Sequence, residues 1–206
     1  MGETRIALSR QLIVEPGPTR LSALNTNEKQ RPRDPYVSHQ IAVLLDNVRS
    51  AWNVGSILRS ADGFGFRHAY LCGITPTGDN EAVTKTSLGA EDTVPWSYHK
   101  DAVKLVKGLK AEAWKVYALE EEERAVSLES DSSLALRIHS KMQEPAPVLH
   151  VLILGNEVTG VDPDLLDLCD EIFYIPMRGE KKSFNVAIAF GVAAYAITFS
   201  KSENYS

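Results

Sequence analysis

The stretch IAVLLDNVRSAWNVGSILRSADGFGFRHAYLCGI, residues 41–74, alternates between two kinds of apolar pattern. Residues 41–46 are a continuous apolar run, which is typical of a strand buried on both faces of a sheet. Residues 53–65 carry an apolar stripe at helical spacing, begin at Asn53 as the predicted N-cap and end in glycines. Residues 68–74 are again apolar. This order of strand, helix and strand predicts a parallel βαβ unit.

The alternation continues toward the C-terminus. The further predicted elements are an amphipathic helix at 101–113, strands at 114–120, 148–155 and 171–177, a short helix that starts at Asp162, and an apolar final helix that ends at Phe199. The acidic, serine-rich residues 120–133 predict a solvated loop. These elements predict an α/β fold with a mostly parallel sheet and helices on both faces.

Length and composition place the chain among ordinary globular proteins. It has 206 residues, 44% hydrophobic content and a net charge of −5, which argues against a general coat for nucleic acid but not against a local basic site. Cys72 and Cys169 are too few for a disulfide framework or a metal cluster, so we expect reduced thiols and no metal. The N-terminus has no signal-peptide pattern and residues 186–199 are too short to span a membrane, so we expect no membrane association and a cytoplasmic location.

Residues 1–38 differ from the rest of the chain. They are rich in proline and carry a small excess of basic residues, which predicts an N-terminal arm or extension. The arm either packs on the domain or contacts a polyanionic partner. Residues 39–206 form the predicted domain.

Ligands of parallel α/β sheets bind beyond the carboxyl ends of the strands. Polar loops follow the strand at 41–46, the strand at 148–155 and the strand at 171–177. The candidate site residues in these loops are Asn53, Arg59, Gly155, Glu157, Ser183 and Asn185. Each also has a structural interpretation: Glu157 as a turn former, Arg59 as an ion-pair partner and Ser183 as the N-cap of the final helix. The convergence of three such loops favours a binding site.

Several common site types are absent from the sequence. It has no GxGxxG after the first strand, no GxxxxGK[ST] loop and no GxSxG elbow. Its five histidines show no metal-ligand spacing, and His150 lies inside a predicted strand, where a structural role is expected.

Three stretches together resemble one protein family. They are DNVRSAWNVGSILRSADGFGF (46–66), LILGNEVTGV (152–161) and IPMRGEKKSFNVAIAFGVAAYA (175–196), and TKTSLGAEDTVPW (84–96) resembles the segment between the first two. In order and spacing they resemble the three motifs of the TrmH/SpoU-type RNA 2′-O-ribose methyltransferases of the SPOUT superfamily. The resemblance covers residues 41–199.

This resemblance implies a homodimeric enzyme that uses S-adenosylmethionine to methylate a ribose 2′-hydroxyl in tRNA or rRNA, with a deep trefoil knot over about residues 148–199. A catalytically inactive RNA-binding member, or an enzyme that methylates another acceptor, stays open. The implied catalytic residues are Asn53, Arg59, Glu157, Ser183 and Asn185. The implied cofactor-binding residues are Leu119, Gly155, Asn156, Ile175, Met177 and Phe184. The implied RNA-binding residues are Arg178, Lys181 and Lys182.

Two features depart from the family's pattern. Ser183-Phe184-Asn185 stands where the family usually has Ser-Leu-Asn, so we expect a reshaped cofactor pocket. Glu180, Lys181 and Lys182 replace the small residues that often precede that serine. Whether Arg59 acts as a base or as a stabiliser of charge stays open, as does the choice between tRNA and rRNA.

Overall fold

Seven parallel strands form the centre of the molecule in a computed structural model that describes residues 40–128 and 148–199. The strands are β1 (Ile41–Asp46), β2 (His68–Cys72), β3 (Trp96–His99), β4 (Lys115–Leu119), β5 (Val126–Ser127), β6 (His150–Leu154) and β7 (Glu171–Tyr174). Their order in the sheet is β3-β2-β1-β6-β4-β7-β5, and every pairing between neighbours is parallel. The predicted α/β class with a parallel sheet is confirmed.

Helices cover both faces of this sheet. They are α1 (Ala51–Gly63), α2 (Glu81–Ser87), α3 (Ala90–Thr93), α4 (Ala102–Ala111), α5 (Pro163–Leu166) and α6 (Val186–Phe199). One apolar core lies under α1 and α6, where Ile57 and Phe190 are fully buried. The other lies under α4 and α5, where Val106 and Leu165 are fully buried. Both faces of the sheet are therefore buried, which explains the continuous apolar runs of β1 and β6.

The starts of the helices confirm one predicted cap and correct two others. Asp162 caps α5 by accepting a hydrogen bond from the backbone N–H of Asp164, as expected. Asn53 is not the cap of α1, because the Ser50 hydroxyl accepts the hydrogen bond from the Asn53 N–H. Ser183 is not the cap of α6 either: the Asn185 carboxamide oxygen accepts from the Ala187 N–H at 2.9 Å. Carboxamide and hydroxyl side chains can both accept the hydrogen bond of an N-cap, so residue type alone did not decide which residue caps each helix.

Some elements are absent from the sequence-based prediction. The short helices α2 and α3 and strand β3 lie between residues 74 and 101, where we predicted no helix or strand, and β5 lies in the predicted acidic loop. Strand β7 ends at Tyr174, three residues earlier than predicted. The predicted arm at 1–38 lies outside the described residues.

The remaining predicted structural residues lie in or beside the core. His150 is fully buried in β6 and stacks on Tyr117 of β4, which agrees with a structural role. Cys72 is buried and Cys169 is half-buried, and both are free thiols. Of the helices in the described ranges, none is long and apolar enough to cross a bilayer.

Candidate active site

A cleft of about 270 Å³ lies beyond the carboxyl ends of β4, β6 and β7. Five of the six residues predicted to bind a cofactor line it: Leu119, Gly155, Asn156, Ile175 and Phe184. The sixth, Met177, lies farther along the loop after β7 and does not line the cleft. Three strands end at this cleft, so its position follows from the parallel topology of the sheet.

Gly155 forms the floor of the cleft for a reason that the sequence did not reveal. A Cβ atom at this position would lie 2.2 Å from the carbonyl carbon of Gly160 and 2.2 Å from the nitrogen of Val161. The chain therefore folds back tightly on itself directly after β6, where Asn156 and Gly160 form an antiparallel bridge. This tight turn leaves no room for a side chain at position 155, so glycine is required here.

The carboxylate of Glu157 joins the loop after β6 to the start of α1. Its Oε2 accepts from the Arg49 N–H at 2.9 Å. Its Oε1 accepts from the Ser50 N–H at 3.0 Å and from the Asn53 carboxamide at 2.9 Å. Three donors occupy most of the lone pairs that a carboxylate offers, which fixes the orientation of Asn53.

Asn53 in turn joins Glu157 to the loop after β7. Its carboxamide oxygen accepts from the carboxamide nitrogen of Asn185 at 3.0 Å. Asn185 then caps α6, so the chain of hydrogen bonds ends at the positive end of that helix. Three residues that we predicted from three separate loops, Asn53, Glu157 and Asn185, thus form one connected group. We call this group the polar relay.

The polar relay has a defined charge. Partial burial raises the pKa of Glu157, but the hydrogen bonds from Arg49, Asn53 and Ser50 outweigh it and hold the pKa below its usual value. Glu157 is therefore ionised at neutral pH and is a poor general base. Its hydrogen bond to the carboxamide makes it an anchor that orients Asn53.

Asn156 shapes the loop between β6 and α5. Its carboxamide nitrogen donates to the Asn47 carbonyl at 2.7 Å, and its oxygen accepts from the N–H groups of Val158 and Thr159. The side chain is thus occupied within the protein. The backbone of Asn156 is paired as well, since its N–H and C=O exchange hydrogen bonds with Gly160.

The predicted residues of the last loop lie at the mouth of the cleft. Ser183 and Lys182 line it and are exposed. Lys181 and Arg178 are exposed on the same loop but do not line the cleft. This arrangement presents positive charge beside the polar relay, where an incoming anion would arrive.

Arg59 lies apart from the other predicted catalytic residues. It is exposed on α1, six residues beyond Asn53, which corresponds to about 9 Å along the helix axis. Its guanidinium does not line the cleft and, within the described ranges, makes no hydrogen bond or ion pair. The structure of one chain does not bring Arg59 to the polar relay.

Two further acidic residues of this region were not predicted from the sequence. Glu120 lines the cleft and binds the backbone of Val161, and Asp46 is buried at the end of β1 and binds the backbone of Asp162. Glu120 opens a run of four acids, and nothing in that run distinguishes it from its neighbours. Asp46 is the last residue of a predicted strand, and this position at the carboxyl edge of the sheet was the one signal in the sequence that could have identified it.

Fold and site together define an α/β protein whose polar residues and cleft share the carboxyl edge of a parallel sheet. Comparison with known proteins then gives the family. The chain belongs to the SpoU rRNA Methylase family, whose model matches residues 40–195.

Individual relatives show how far the similarity extends. The chain is 29% identical over 165 residues to the 23S rRNA (guanosine(2553)-2′-O)-methyltransferase RlmP of Bacillus subtilis, a match that covers 80% of this chain but 60% of that protein. It is 30% identical to the tRNA (guanosine(18)-2′-O)-methyltransferase of Thermus thermophilus, over 82% of this chain and 77% of that protein. The fold matches the AdoMet-bound rRNA methyltransferase of Sinorhizobium meliloti with a TM-score of 0.64 at 23% identity, over 77% of this chain and 55% of that one.

Proposed function

We propose that this protein methylates a ribose 2′-hydroxyl in tRNA or rRNA with S-adenosylmethionine as the methyl donor. The observation that carries the proposal is the polar relay at the mouth of a cleft that is lined by both apolar and polar side chains. Family membership and the printed activities of the relatives from Bacillus subtilis and Thermus thermophilus support it.

The residues of the cleft suit this cofactor. Leu119, Ile175 and Phe184 offer apolar surface to an adenine ring, and Glu120 and Glu121 place negative charge on the same cleft. When bound, S-adenosylmethionine supplies an electrophilic methyl group on a positively charged sulfur. The AdoMet-bound relative from Sinorhizobium meliloti shares the fold and supports this assignment.

The catalytic roles follow from the charges. A ribose hydroxyl is a poor nucleophile, so the protein must orient it and stabilise the negative charge that develops on its oxygen. We assign the orientation to Asn53 and Asn185, which Glu157 and α6 hold in place, and to Ser183 beside them. The guanidinium of Arg59 offers several N–H donors that suit an oxyanion, so we assign it to the stabilisation of the alkoxide or the adjacent phosphate.

We further propose that the enzyme is a homodimer and that Arg59 acts in the site of the second copy. The exposed face of α6 presents Ile188, Val192 and Tyr195 at helical spacing, with Ile188 56% and Tyr195 62% exposed. Trp52, 59% exposed, shares a face of α1 with Arg59. Because α1 packs against α6, an interface over these two helices would cover Arg59. This accounts for its distance from the polar relay of its own chain.

Three finer expectations stay proposals. Arg178, Lys181 and Lys182 contact RNA phosphates, which their exposure at the mouth of the cleft supports. Residues 148–199 form the knot, and the return of the chain from β7 to pack α6 on α1 supports it. An experimental structure in which these residues trace without threading would refute the knot. A cytoplasmic location stays a prediction.

Cofactor binding and methyl transfer, measured separately, test the proposal. Calorimetry with S-adenosylmethionine and methyl incorporation from labelled cofactor into bulk tRNA and rRNA would be compared for the wild-type protein and Asn185→Ala. We expect binding and transfer by the wild type and loss of transfer by the variant. Binding without transfer to any RNA would favour a catalytically inactive RNA-binding member, and transfer to a base would identify another acceptor.

A further inference from the structure

Two carboxylates hold the turn that follows the central strand β6, one from each neighbouring strand. Glu120, at the end of β4, accepts a hydrogen bond from the Val161 N–H at 2.9 Å. Asp46, at the end of β1, accepts from the Asp162 N–H at 3.2 Å. Since β6 lies between β1 and β4 in the sheet, consecutive backbone N–H groups are held from opposite sides.

The Glu120 carboxylate is closely fitted to this turn. Its second oxygen accepts from the Glu121 N–H at 3.0 Å, which fixes the plane of the group. Gly160 has a φ of +73°, and a Cβ atom there would lie 2.4 Å from Glu120 Oε2. The carboxylate therefore occupies the space in which any other residue at position 160 would carry its side chain.

The turn that Glu120 holds also forms the cleft. Its residues from Gly155 to Gly160 include much of the lining, and Gly155 packs directly against the backbone of Gly160 and Val161. The same turn carries Glu157, the anchor of the polar relay. A shift of Val161 would thus move both the floor of the cleft and the relay.

We propose that Glu120 is a positioning residue, whose carboxylate sets the shape of the cofactor cleft by holding the backbone of Val161 while Asp46 holds Asp162. The identity of the cofactor rests on the proposed function, but the hold on the turn does not. The role differs from a purely electrostatic one, in which any carboxylate on this wall would attract a cationic ligand equally.

Glu121 provides a matched control, because it lines the same cleft and carries the same charge. Among the described residues its carboxylate accepts no hydrogen bond, so Glu121→Gln removes the charge without releasing the turn. Glu120→Gln keeps one oxygen that can accept an N–H, whereas Glu120→Ala keeps none. The three variants separate charge from hydrogen bonding.

The first measurement is amide hydrogen exchange, which needs no cofactor. We expect Glu120→Ala to speed exchange at the Val161 N–H about ten- to a hundredfold, the range expected when a hydrogen bond to a charged group is lost. Glu120→Gln should fall between this variant and the wild type, and Glu121→Gln should exchange as the wild type does. Unchanged exchange at Val161 in a folded Glu120→Ala protein would overturn the proposal.

The second measurement is the binding of S-adenosylmethionine and of S-adenosylhomocysteine, whose sulfur is neutral. A misplaced cleft should weaken both ligands by a similar factor of about ten or more in Glu120→Ala, with partial recovery in Glu120→Gln. A purely electrostatic role would weaken mainly the cationic ligand, and equally in Glu121→Gln, which would also overturn the proposal. If the wild type binds neither ligand, the proposed function fails, while hydrogen exchange still decides the role of Glu120.

Discussion

Replacement of Gly155 by alanine tests the tight turn that the chain makes after β6. The new Cβ would lie 2.2 Å from two backbone atoms, whereas ordinary contacts begin at 3.4 Å, so the turn must open by about 1 Å. The backbone on the other side cannot yield easily. Asn156 and Gly160 exchange two hydrogen bonds, at 3.0 and 2.9 Å, and Glu120 holds Val161.

The expected cost follows from this geometry. Overpacking a well-packed site typically costs about 1–3 kcal/mol, and the rigid backbone on both sides places Gly155→Ala near about 3 kcal/mol. At about 2–4 °C per kcal/mol for a domain of this size, the midpoint of thermal unfolding should fall by roughly 6–12 °C. The affinity for S-adenosylmethionine should fall as well, because the floor of the cleft moves.

Gly108 supplies the matched control. It lies exposed inside α4, and a Cβ atom there would meet nothing within 4 Å. Gly108→Ala should stabilise the protein by about 0.5–1 kcal/mol through the better helix propensity of alanine. Denaturant titrations of the three proteins measure both effects. If Gly155→Ala unfolds at the wild-type midpoint, the close contact of Gly155 with the backbone of Gly160 and Val161 does not exist as described.

Three further predictions concern other parts of the account. If Arg59 acts in the site of the second copy, co-expressed Arg59→Ala and Asn185→Ala chains should regain about a quarter of wild-type transfer. Half of the dimers in a random mixture contain one chain of each variant, and each of these mixed dimers has one intact site of two. Activity no higher than that of either variant alone would place Arg59 in its own chain's site or remove its role. Lys181→Ala with Lys182→Ala should reduce the slope of log affinity for single-stranded RNA against log salt by about 1.4, and an unchanged slope would show that these lysines are only solvated. Burial raises the pKa of Asp46 above its usual 3.8, so the folded state holds this proton more tightly and the free energy of unfolding falls as pH rises through that range. Asp46→Asn should abolish this fall in denaturant titrations at mildly acidic pH, whereas a pH profile that keeps the wild-type shape would contradict the assignment.

The sequence was sufficient for the five inner strands of the sheet and for the three members of the polar relay. Buried parallel strands appear as continuous apolar runs, which is why β1 and β6 were predicted. The rule that ligands bind at the carboxyl edge then selected the loops that carry Asn53, Glu157 and Asn185. These residues do meet, because strands with ends at one edge bring their following loops together.

Contacts between distant residues decided what the sequence left undetermined. Ser50 and Asn53 are both good helix caps, and Ser50 takes that role while Asn53 binds Glu157, 104 positions away. The choice of Glu120 from a run of acids likewise depends on the backbone of Val161, 41 positions away. Strand β3 was missed because its four residues are only half-buried at the edge of the sheet, so they lack a strong apolar pattern.

The central claim is that the acceptor is a ribose hydroxyl in RNA. The most direct test treats tRNA and rRNA from a methylation-deficient host with the purified protein and labelled S-adenosylmethionine, and then identifies the labelled nucleoside by mass spectrometry after nuclease digestion. Alkaline hydrolysis of the same RNA provides an independent check, since a 2′-O-methyl group protects the adjacent linkage. We predict a 2′-O-methyl nucleoside and a protected linkage. Label on a base, with a linkage that alkali still cleaves, would contradict the account.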